Sequence, residues 1–184
     1  MGGPLPWDVL GVEILQDCKV FRVNRTLVRS PSSGETHPFH TIEAAPWVNV
    51  VPITREGQLV MVRQYRHGSR EVTLEIPGGI VDPGEEPAAA AARELIEETG
   101  YRAERVRPLG SLNPNPALFA NRVHTFLAED VERVTDVMNG PLEETVVELV
   151  PAAEVSERVL RGEIDHALVV AALHRWSLAR ERGS

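Results

Sequence analysis

The sequence contains little cysteine, few aromatic residues and no long apolar run. Cys18 is the single cysteine among 184 residues. An internal disulfide or a zinc site of several cysteines is therefore excluded, as is usual in a reducing compartment. No segment approaches 18 uncharged apolar residues, and residues 1–7 lack a basic stretch followed by an apolar run. These absences predict a cytoplasmic protein with neither a membrane span nor a secretion signal.

Basic residues are also in the minority. The chain has 19 Lys and Arg against 27 Asp and Glu, a net charge of -8 at pH 7. A surface of this sign repels a polyphosphate backbone, so a general nucleic-acid binder is disfavoured. The hydrophobic share of 42% and the charged share of 25% are typical of a soluble globular protein. The length predicts one compact domain with a full core.

Apolar runs bounded by turn residues predict several strands. A strand pair is expected over residues 18–29 with its turn near Asn24, followed by strands over 48–53, 59–62, 72–76, 123–127 and 145–150. Helices are expected over 88–99, between Pro87 and Gly100, and over 153–161 and 166–180. The elements mix without regular β-α alternation, so the predicted fold class is α/β (α+β), with a mixed β-sheet and helices packed on it.

Three glutamates share one face of the helix predicted over 88–99. Glu94, Glu97 and Glu98 are spaced i, i+3 and i+4, which brings their repelling carboxylates close together. A solvent-exposed acidic face is the ordinary explanation of such a run. A basic residue in the preceding turn, a loop acid and a glycine-rich turn favour a metal site instead: Arg93, Glu85 and residues 77–79. A hard cation such as Mg²⁺ or Mn²⁺ would convert the repulsion into shared oxygen coordination.

This pattern resembles the Nudix box. Gly79 is followed after five residues by Glu85, and after seven more by the run Arg93-Glu94-Leu95-Ile96-Glu97-Glu98-Thr99-Gly100-Tyr101. All seven fixed residues of the box match, and Tyr101 stands where an aliphatic residue is preferred. Residues 60–66, 75–79 and 161–165, together with Pro116, look like the ADP-ribose and nucleotide-sugar pyrophosphatase branch of the family.

The resemblance implies an α/β/α sandwich and a division of the chain. Residues 1–40 would form an N-terminal antiparallel strand segment through which this branch builds homodimers, sometimes with exchanged elements. Residues 41–184 would form the Nudix hydrolase domain. The strand-rich N-terminus is consistent with that division, and homodimerisation follows from the resemblance alone.

The resemblance also implies the ligands of the metal. Glu94, Glu97 and Glu98 would hold it, with the main-chain carbonyl of Gly78 as a further ligand. Magnesium is expected, with manganese as a substitute. Glu98 would thus be catalytic through its metal. A glutamate on a late loop often serves as general base in this branch, and both Glu143 and Glu144 match it; the sequence leaves the choice open, and both can equally be solvated loop acids.

Three further residues are candidates for substrate binding. Arg66 matches the position that reaches a phosphate. Trp47 offers a flat ring for a purine, although a tryptophan between Pro46 and Val48 is more often simply packed. Pro116 lies in a turn-rich loop that lines the pocket for the second half of the substrate in this branch.

The expected activity is Mg²⁺-dependent hydrolysis of the pyrophosphate bond of ADP-ribose or a related nucleoside diphosphate sugar such as GDP-mannose. The products would be a nucleoside monophosphate and a sugar phosphate. Two alternatives remain open. One is a Nudix hydrolase for another pyrophosphate, such as NADH, a dinucleoside polyphosphate or a damaged nucleoside triphosphate. The other is a catalytically silent sensor of nucleotide sugars.

Overall fold

The computed structural model describes residues 3–183. Residues 1, 2 and 184, which the predicted segments 1–40 and 41–184 include, lie outside the described residues. The strands are β1 Asp8–Asp17, β2 Phe21–Arg29, β3 Thr36–Ala44, β4 Trp47–Pro52, β5 Gln58–Arg66, β6 Glu71–Glu75, β7 Tyr101–Arg102, β8 Val106–Leu112, β9 Val123–Ala128, β10 Glu132–Arg133 and β11 Thr145–Pro151. The helices are α1 Pro87–Thr99, α2 Val155–Leu160 and α3 Ala167–Gly183.

The chain divides into two compact units. The first contains residues 3–45 and 113–122 and is built on the antiparallel sheet β1-β2-β3. Its hairpin turns at residues 18–20, where the Cys18 N–H donates to Phe21 O at 2.9 Å. The turn predicted near Asn24 is therefore wrong: Asn24 lies inside β2 and is paired with both Ile14 and Thr41.

The second unit contains residues 46–112 and 123–183 and carries the mixed sheet that the sequence predicts. Its strand orders are β11-β5-β6, β4-β9-β8 and β10-β7. Strands β4 and β9 run parallel, and the other pairs are antiparallel.

Neighbouring residues of its central strands enter two different cores, because successive side chains of a strand point to opposite faces. Val50 and Val60 join the cluster around Leu95 of α1, whereas Val51 and Met61 join the cluster around α3. Helices thus pack on both faces, and the predicted α/β/α sandwich is confirmed. No helix within residues 3–183 is long and apolar enough to cross a membrane.

Helix α1 begins and ends where its sequence indicates. Pro87 occupies the first turn, where its missing N–H costs nothing. Gly100 ends the helix in the left-handed conformation, at φ 74°, and its N–H donates to Ile96 O at 2.8 Å. Leu95 is buried and fixes the rotation of the helix. The face that carries Glu94 and Glu98 is thereby directed to one side of the core.

Candidate active site

A single cleft of about 930 Å³ in the second unit gathers most of the predicted site residues. Its walls come from the first residues of β4, the ends of β5 and β6, the turn at 78–80, one face of α1, the loop at 138–143 and the start of α3. Because these segments lie far apart in the sequence, the fold is what brings their polar side chains together.

The acidic face of α1 forms one wall of this cleft. Glu94, Glu97 and Glu98 all line it, and Glu94 and Glu98 are buried. Arg93 bridges the acids: its Nη1 lies 2.8 Å from Glu94 Oε1 and 3.0 Å from Glu97 Oε2, and its Nε lies 3.0 Å from Glu85 Oε1. The hydrogen bonds to Glu85, followed by the charge of Glu94 and the hydrogen bonds to Glu94 and Glu97, raise the pKa of Arg93. Arg93 therefore stays charged and orders the acidic face.

Glu98 is the most strongly perturbed acid of the cleft. It is 3% exposed, and burial, followed by the charges of Glu94 and Glu143, raises its pKa to about 8. The Gly78 N–H, 2.9 Å from Glu98 Oε2, opposes this rise. Burial likewise raises the pKa of Glu94. The charge and hydrogen bond of Arg93 oppose this rise, and the charges of Glu97 and Glu143 add to it. Burial is thus the main reason that the charged form of both carboxylates is disfavoured.

This donor set fits a divalent cation. Carboxylate oxygens are the ligands that Mg²⁺ prefers, and a cation would offset the repulsion among the acids. The Gly78 carbonyl accepts no hydrogen bond from residues 3–183, so it is available as a ligand. Among these residues, however, no three acidic, His or Cys side chains stand ready around a common point. Arg93 holds Glu94 and Glu97, and these two carboxylates must turn from it to share an ion.

The structure distinguishes the two loop glutamates. The loop is tied to the end of α1, since the Met138 N–H donates to Glu97 O at 2.8 Å and the Thr145 hydroxyl donates to Glu98 O at 2.8 Å. Glu143 lines the cleft and acts electrostatically on Glu94 and Glu98. Glu144 is exposed and is not one of the residues that line the cleft.

Arg66 lies in the cleft and is fixed by a buried acid. Its Nε and Nη2 donate to the two carboxylate oxygens of Glu75, both at 2.7 Å. The Glu75 side chain is 3% exposed and the Arg66 side chain 42% exposed. Burial raises the pKa of Glu75, but the hydrogen bonds and charge of Arg66 outweigh it, so that the pKa lies below its usual value. Arg66 is thus held in place with part of its guanidinium open to the cleft.

The remaining two candidates lie in different units. Trp47, the first residue of β4, lines the cleft and is half-buried. Pro116 belongs to the first unit, in the segment 113–122, where it is exposed.

Three cleft residues were not identified from the sequence. Glu75 stands in the segment that resembles the nucleotide-sugar branch, but its bond to Arg66 depends on the pairing of β5 with β6. Asn49 interrupts the apolar run of β4, a signal that a polar side chain is needed there. His166, just before α3, carried no signal that separates it from a surface histidine.

Comparisons with known proteins identify the family. The profile of the NUDIX domain matches residues 44–173. The chain therefore belongs to the Nudix family and is a Nudix hydrolase, and its similarity to pyrophosphatases of the ADP-ribose branch extends over most of its length.

Two relatives and one solved structure illustrate this similarity. The chain is 31% identical to an ADP-ribose pyrophosphatase of Mycobacterium tuberculosis over 90% of its own length and 80% of the relative's. It is 36% identical to an ADP-ribose pyrophosphatase of Bacillus subtilis over 59% of its length, and the match spans 64% of that protein. A crystal structure of an ADP compounds hydrolase superposes with a TM-score of 0.86 over 100% of this chain and 99% of that one, at 23% identity, which supports the fold.

Proposed function

We propose that the protein hydrolyses the pyrophosphate bond of ADP-ribose or a related nucleoside diphosphate sugar in the presence of Mg²⁺, with Mn²⁺ as a substitute. The products are a nucleoside monophosphate and a sugar phosphate. The observation that carries the proposal is the single cleft that contains the α1 acids, Arg66 and Glu143. Relatives named ADP-ribose pyrophosphatase and GDP-mannose pyrophosphatase support this substrate class.

Glu94, Glu97, Glu98 and the Gly78 carbonyl are the residues that hold the cation. A bound divalent ion supplies charge neutralisation at the phosphate oxygens and a water molecule of lowered pKa. Arg66, oriented by Glu75, donates hydrogen bonds to a phosphate oxygen through the part of its guanidinium that Glu75 leaves open. The side chains thus position a diphosphate between an acidic wall and a fixed arginine.

Glu143 is the proposed general base. Its carboxylate accepts the proton of the attacking water, a role that requires a group within hydrogen-bond reach of the reacting atoms. Hydrogen bonds from the Met138 N–H and the Thr145 hydroxyl to the main-chain carbonyls of Glu97 and Glu98 anchor the segment that contains Glu143, which lines the same cleft as these acids. Trp47 provides an aromatic surface for the base of the nucleotide. Pro116 and its loop remain a prediction for the second half of the substrate.

A substrate panel tests the proposal. Purified protein is incubated with ADP-ribose, GDP-mannose, NADH, a dinucleoside polyphosphate and an oxidised nucleoside triphosphate, each with and without Mg²⁺, and the products are identified. We expect AMP from ADP-ribose or GMP from GDP-mannose, only with the metal. Turnover of only NADH, the dinucleoside polyphosphate or the oxidised nucleoside triphosphate would show that the proposed substrate class is wrong. Tight binding of a nucleotide sugar without turnover would indicate a sensor.

We further propose that the protein forms a homodimer through its first unit. All ten residues of β1 are exposed, and β1 pairs within the chain only with β2 among the described residues. Val9, Val12 and Ile14 are each more than half exposed. An apolar edge strand of this length is a surface that proteins normally cover. A second copy of the chain is the partner that the family resemblance indicates. The cytoplasmic location and the absence of nucleic-acid binding stay predictions from the composition.

A further inference from the structure

The first turn of α3 lies at the cleft, and its backbone N–H groups have no hydrogen-bond acceptor in the described part of the chain. Leu168 and Val169 line the cleft. The first hydrogen bond of the helix runs from Val170 N to His166 O, at 3.0 Å. The N–H groups of the three residues before Val170 donate to no acceptor within residues 3–183. The start of a helix therefore offers free donors to whatever enters this end of the cleft.

Asn49 lies directly beside these donors. Its side chain is buried, with the residue 7% exposed, and its Nδ2 lies 3.5 Å from Leu168 O. Its Oδ1 is buried and has no hydrogen-bond partner among residues 3–183, and the same holds for His166 Nδ1. A buried acceptor without a partner is energetically unfavourable, so a group that supplies the missing hydrogen bond would be favoured here.

The surrounding charges indicate what this group is. Asp165 lines the same end of the cleft, and Glu75 interacts electrostatically with His166. A second phosphate or a carboxylate would be repelled by these acids. A hydroxyl group can donate to Asn49 Oδ1 and accept from a helix N–H at once. The mixture of free donors and free acceptors is therefore matched by a group with neighbouring hydroxyls.

We propose that Asn49 and the first turn of α3 bind sugar hydroxyls of the substrate. The proposal rests on the proposed function, in which Arg66 binds the phosphate; Glu75 accepts hydrogen bonds from Arg66 and interacts electrostatically with His166. In a nucleoside diphosphate sugar, the group attached to either phosphate is a sugar. The hydroxyls come either from the ribose of the nucleoside or from the terminal sugar, and the two sources are separable by experiment.

The test is a binding measurement with ligands that are not hydrolysed. Affinities of the wild type and of Asn49→Leu are measured by calorimetry in Mg²⁺ for three compounds: α,β-methylene ADP-ribose, α,β-methylene ADP and methylenediphosphonate, which has no sugar. We expect Asn49→Leu to weaken α,β-methylene ADP-ribose about tenfold, which corresponds to about 1.4 kcal/mol, and to leave methylenediphosphonate unchanged. An equal loss for α,β-methylene ADP assigns the ribose of the nucleoside, and no loss assigns the terminal sugar.

Thr125→Val is the matched control. Thr125 is paired with Asn49 across β4 and β9, and its buried hydroxyl also has no partner within residues 3–183, but Thr125 does not line the cleft. We expect the loss of the Thr125 hydroxyl to leave the affinities for all three compounds unchanged. Asn49→Ala repeats the test without added bulk should the leucine variant fail to fold.

The outcomes separate this inference from the proposed function. If the wild type binds neither α,β-methylene ADP-ribose nor the corresponding methylene analogue of GDP-mannose, the proposed function itself is wrong. If the wild type binds either analogue and Asn49→Leu and Asn49→Ala bind it equally well, the hydroxyl site is wrong and the proposed function stands. An equal loss for methylenediphosphonate would also overturn the site, because that ligand has no hydroxyl groups of a sugar.

Discussion

Glu75 is the residue on which the position of Arg66 depends. It accepts two hydrogen bonds from the guanidinium and a third from the Thr73 hydroxyl. Glu75→Gln removes the charge and leaves Arg66 without its anchor. We expect it to lower the free energy of unfolding by about 1–3 kcal/mol and to raise the KM for the substrate. Denaturant unfolding and steady-state kinetics measure the two effects.

Glu132→Gln is the control for this change. The Arg55–Glu132 pair has the same short spacing, 2.8 Å, but both side chains are exposed. A solvent-exposed ion pair contributes little to stability, so this variant should unfold almost as the wild type does. If Glu75→Gln and Glu132→Gln lower the free energy of unfolding by the same amount, burial of Glu75 does not explain the contribution of its ion pair to stability.

The Glu75 contribution also depends on pH. Its pKa in the folded protein lies below the usual glutamate value of 4.5, so the unfolded chain takes up a proton first as the pH falls. The contribution is complete above pH 4.5 and is lost as the pH falls through the folded value. We therefore expect the stability difference between the wild type and Glu75→Gln to be largest near neutral pH and to shrink in acid. A difference that grows in acid would contradict the sign.

Glu143 and Glu144 form a matched pair for testing the general base. Removal of a general base costs about 10²–10⁴-fold in rate, so Glu143→Gln should lower kcat by that order and leave the melting temperature unchanged. Glu144→Gln, one residue away on the same exposed loop, should keep wild-type kcat. Equal losses in both variants, or a larger loss in Glu144→Gln, would move the base away from Glu143.

At the scale of elements, Gly78 and Gly79 in the turn between β6 and α1 leave no room for a Cβ. A Cβ at Gly79 would lie 2.4 Å from Glu94 Oε1, and a Cβ at Gly78 would lie 2.3 Å from Val48 O. Gly79→Ala therefore displaces the Glu94 side chain, which can move, whereas Gly78→Ala places a methyl group in a steric clash with the backbone of β4.

The two substitutions should therefore affect different properties, namely Mn²⁺ affinity in one case and stability in the other. We expect Gly79→Ala to retain its melting temperature approximately while its Mn²⁺ affinity falls about tenfold, because Glu94 moves. Gly78→Ala should lose about 1–3 kcal/mol of stability through overpacking. Thermal unfolding together with Mn²⁺ titration separates them, and an unchanged Mn²⁺ affinity in Gly79→Ala would speak against Glu94 as a ligand.

Elements with strong local signals are the ones that the sequence predicts. Helix α1 has a proline at its start, helix formers throughout and a left-handed glycine at its end. Strand β1 was missed because bulges near Gly11 and Gln16 break its alternation and none of its residues is buried. Strand β8 contains Pro108 and a bulge beside Gly110, residues that argue against a strand.

The residues of the candidate site also divide into those that a local sequence pattern predicts and those that only the fold brings together. The acids of α1 share one helical face, so their spacing alone brings them together. The contacts of Arg66 with Glu75, and of Asn49 with the start of α3, join residues 9 and 119 positions apart. Such contacts depend on strand register and on which helix packs on which face, and neither can be read from local sequence.

At the scale of the whole molecule, the proposed dimer depends on the apolar surface of β1. A charge at Val12, which is 60% exposed, would have to be buried on association. Val12→Lys should convert the dimer to a monomer in light scattering, at a small cost in the stability of each chain. Leu160→Lys provides the control, since Leu160 is 81% exposed on α2, outside the first unit. A wild-type protein with the mass of one chain would contradict the dimer.

The central claim is that the acids of α1 bind a divalent cation on which catalysis depends. Titration of Mn²⁺ into the wild type and into Glu98→Gln, followed by the electron paramagnetic resonance of free Mn²⁺, tests it most directly. We expect saturable binding by the wild type, at least tenfold weaker binding by Glu98→Gln, and a matching loss of AMP release from ADP-ribose. Equal Mn²⁺ binding and equal turnover in the two proteins would contradict it.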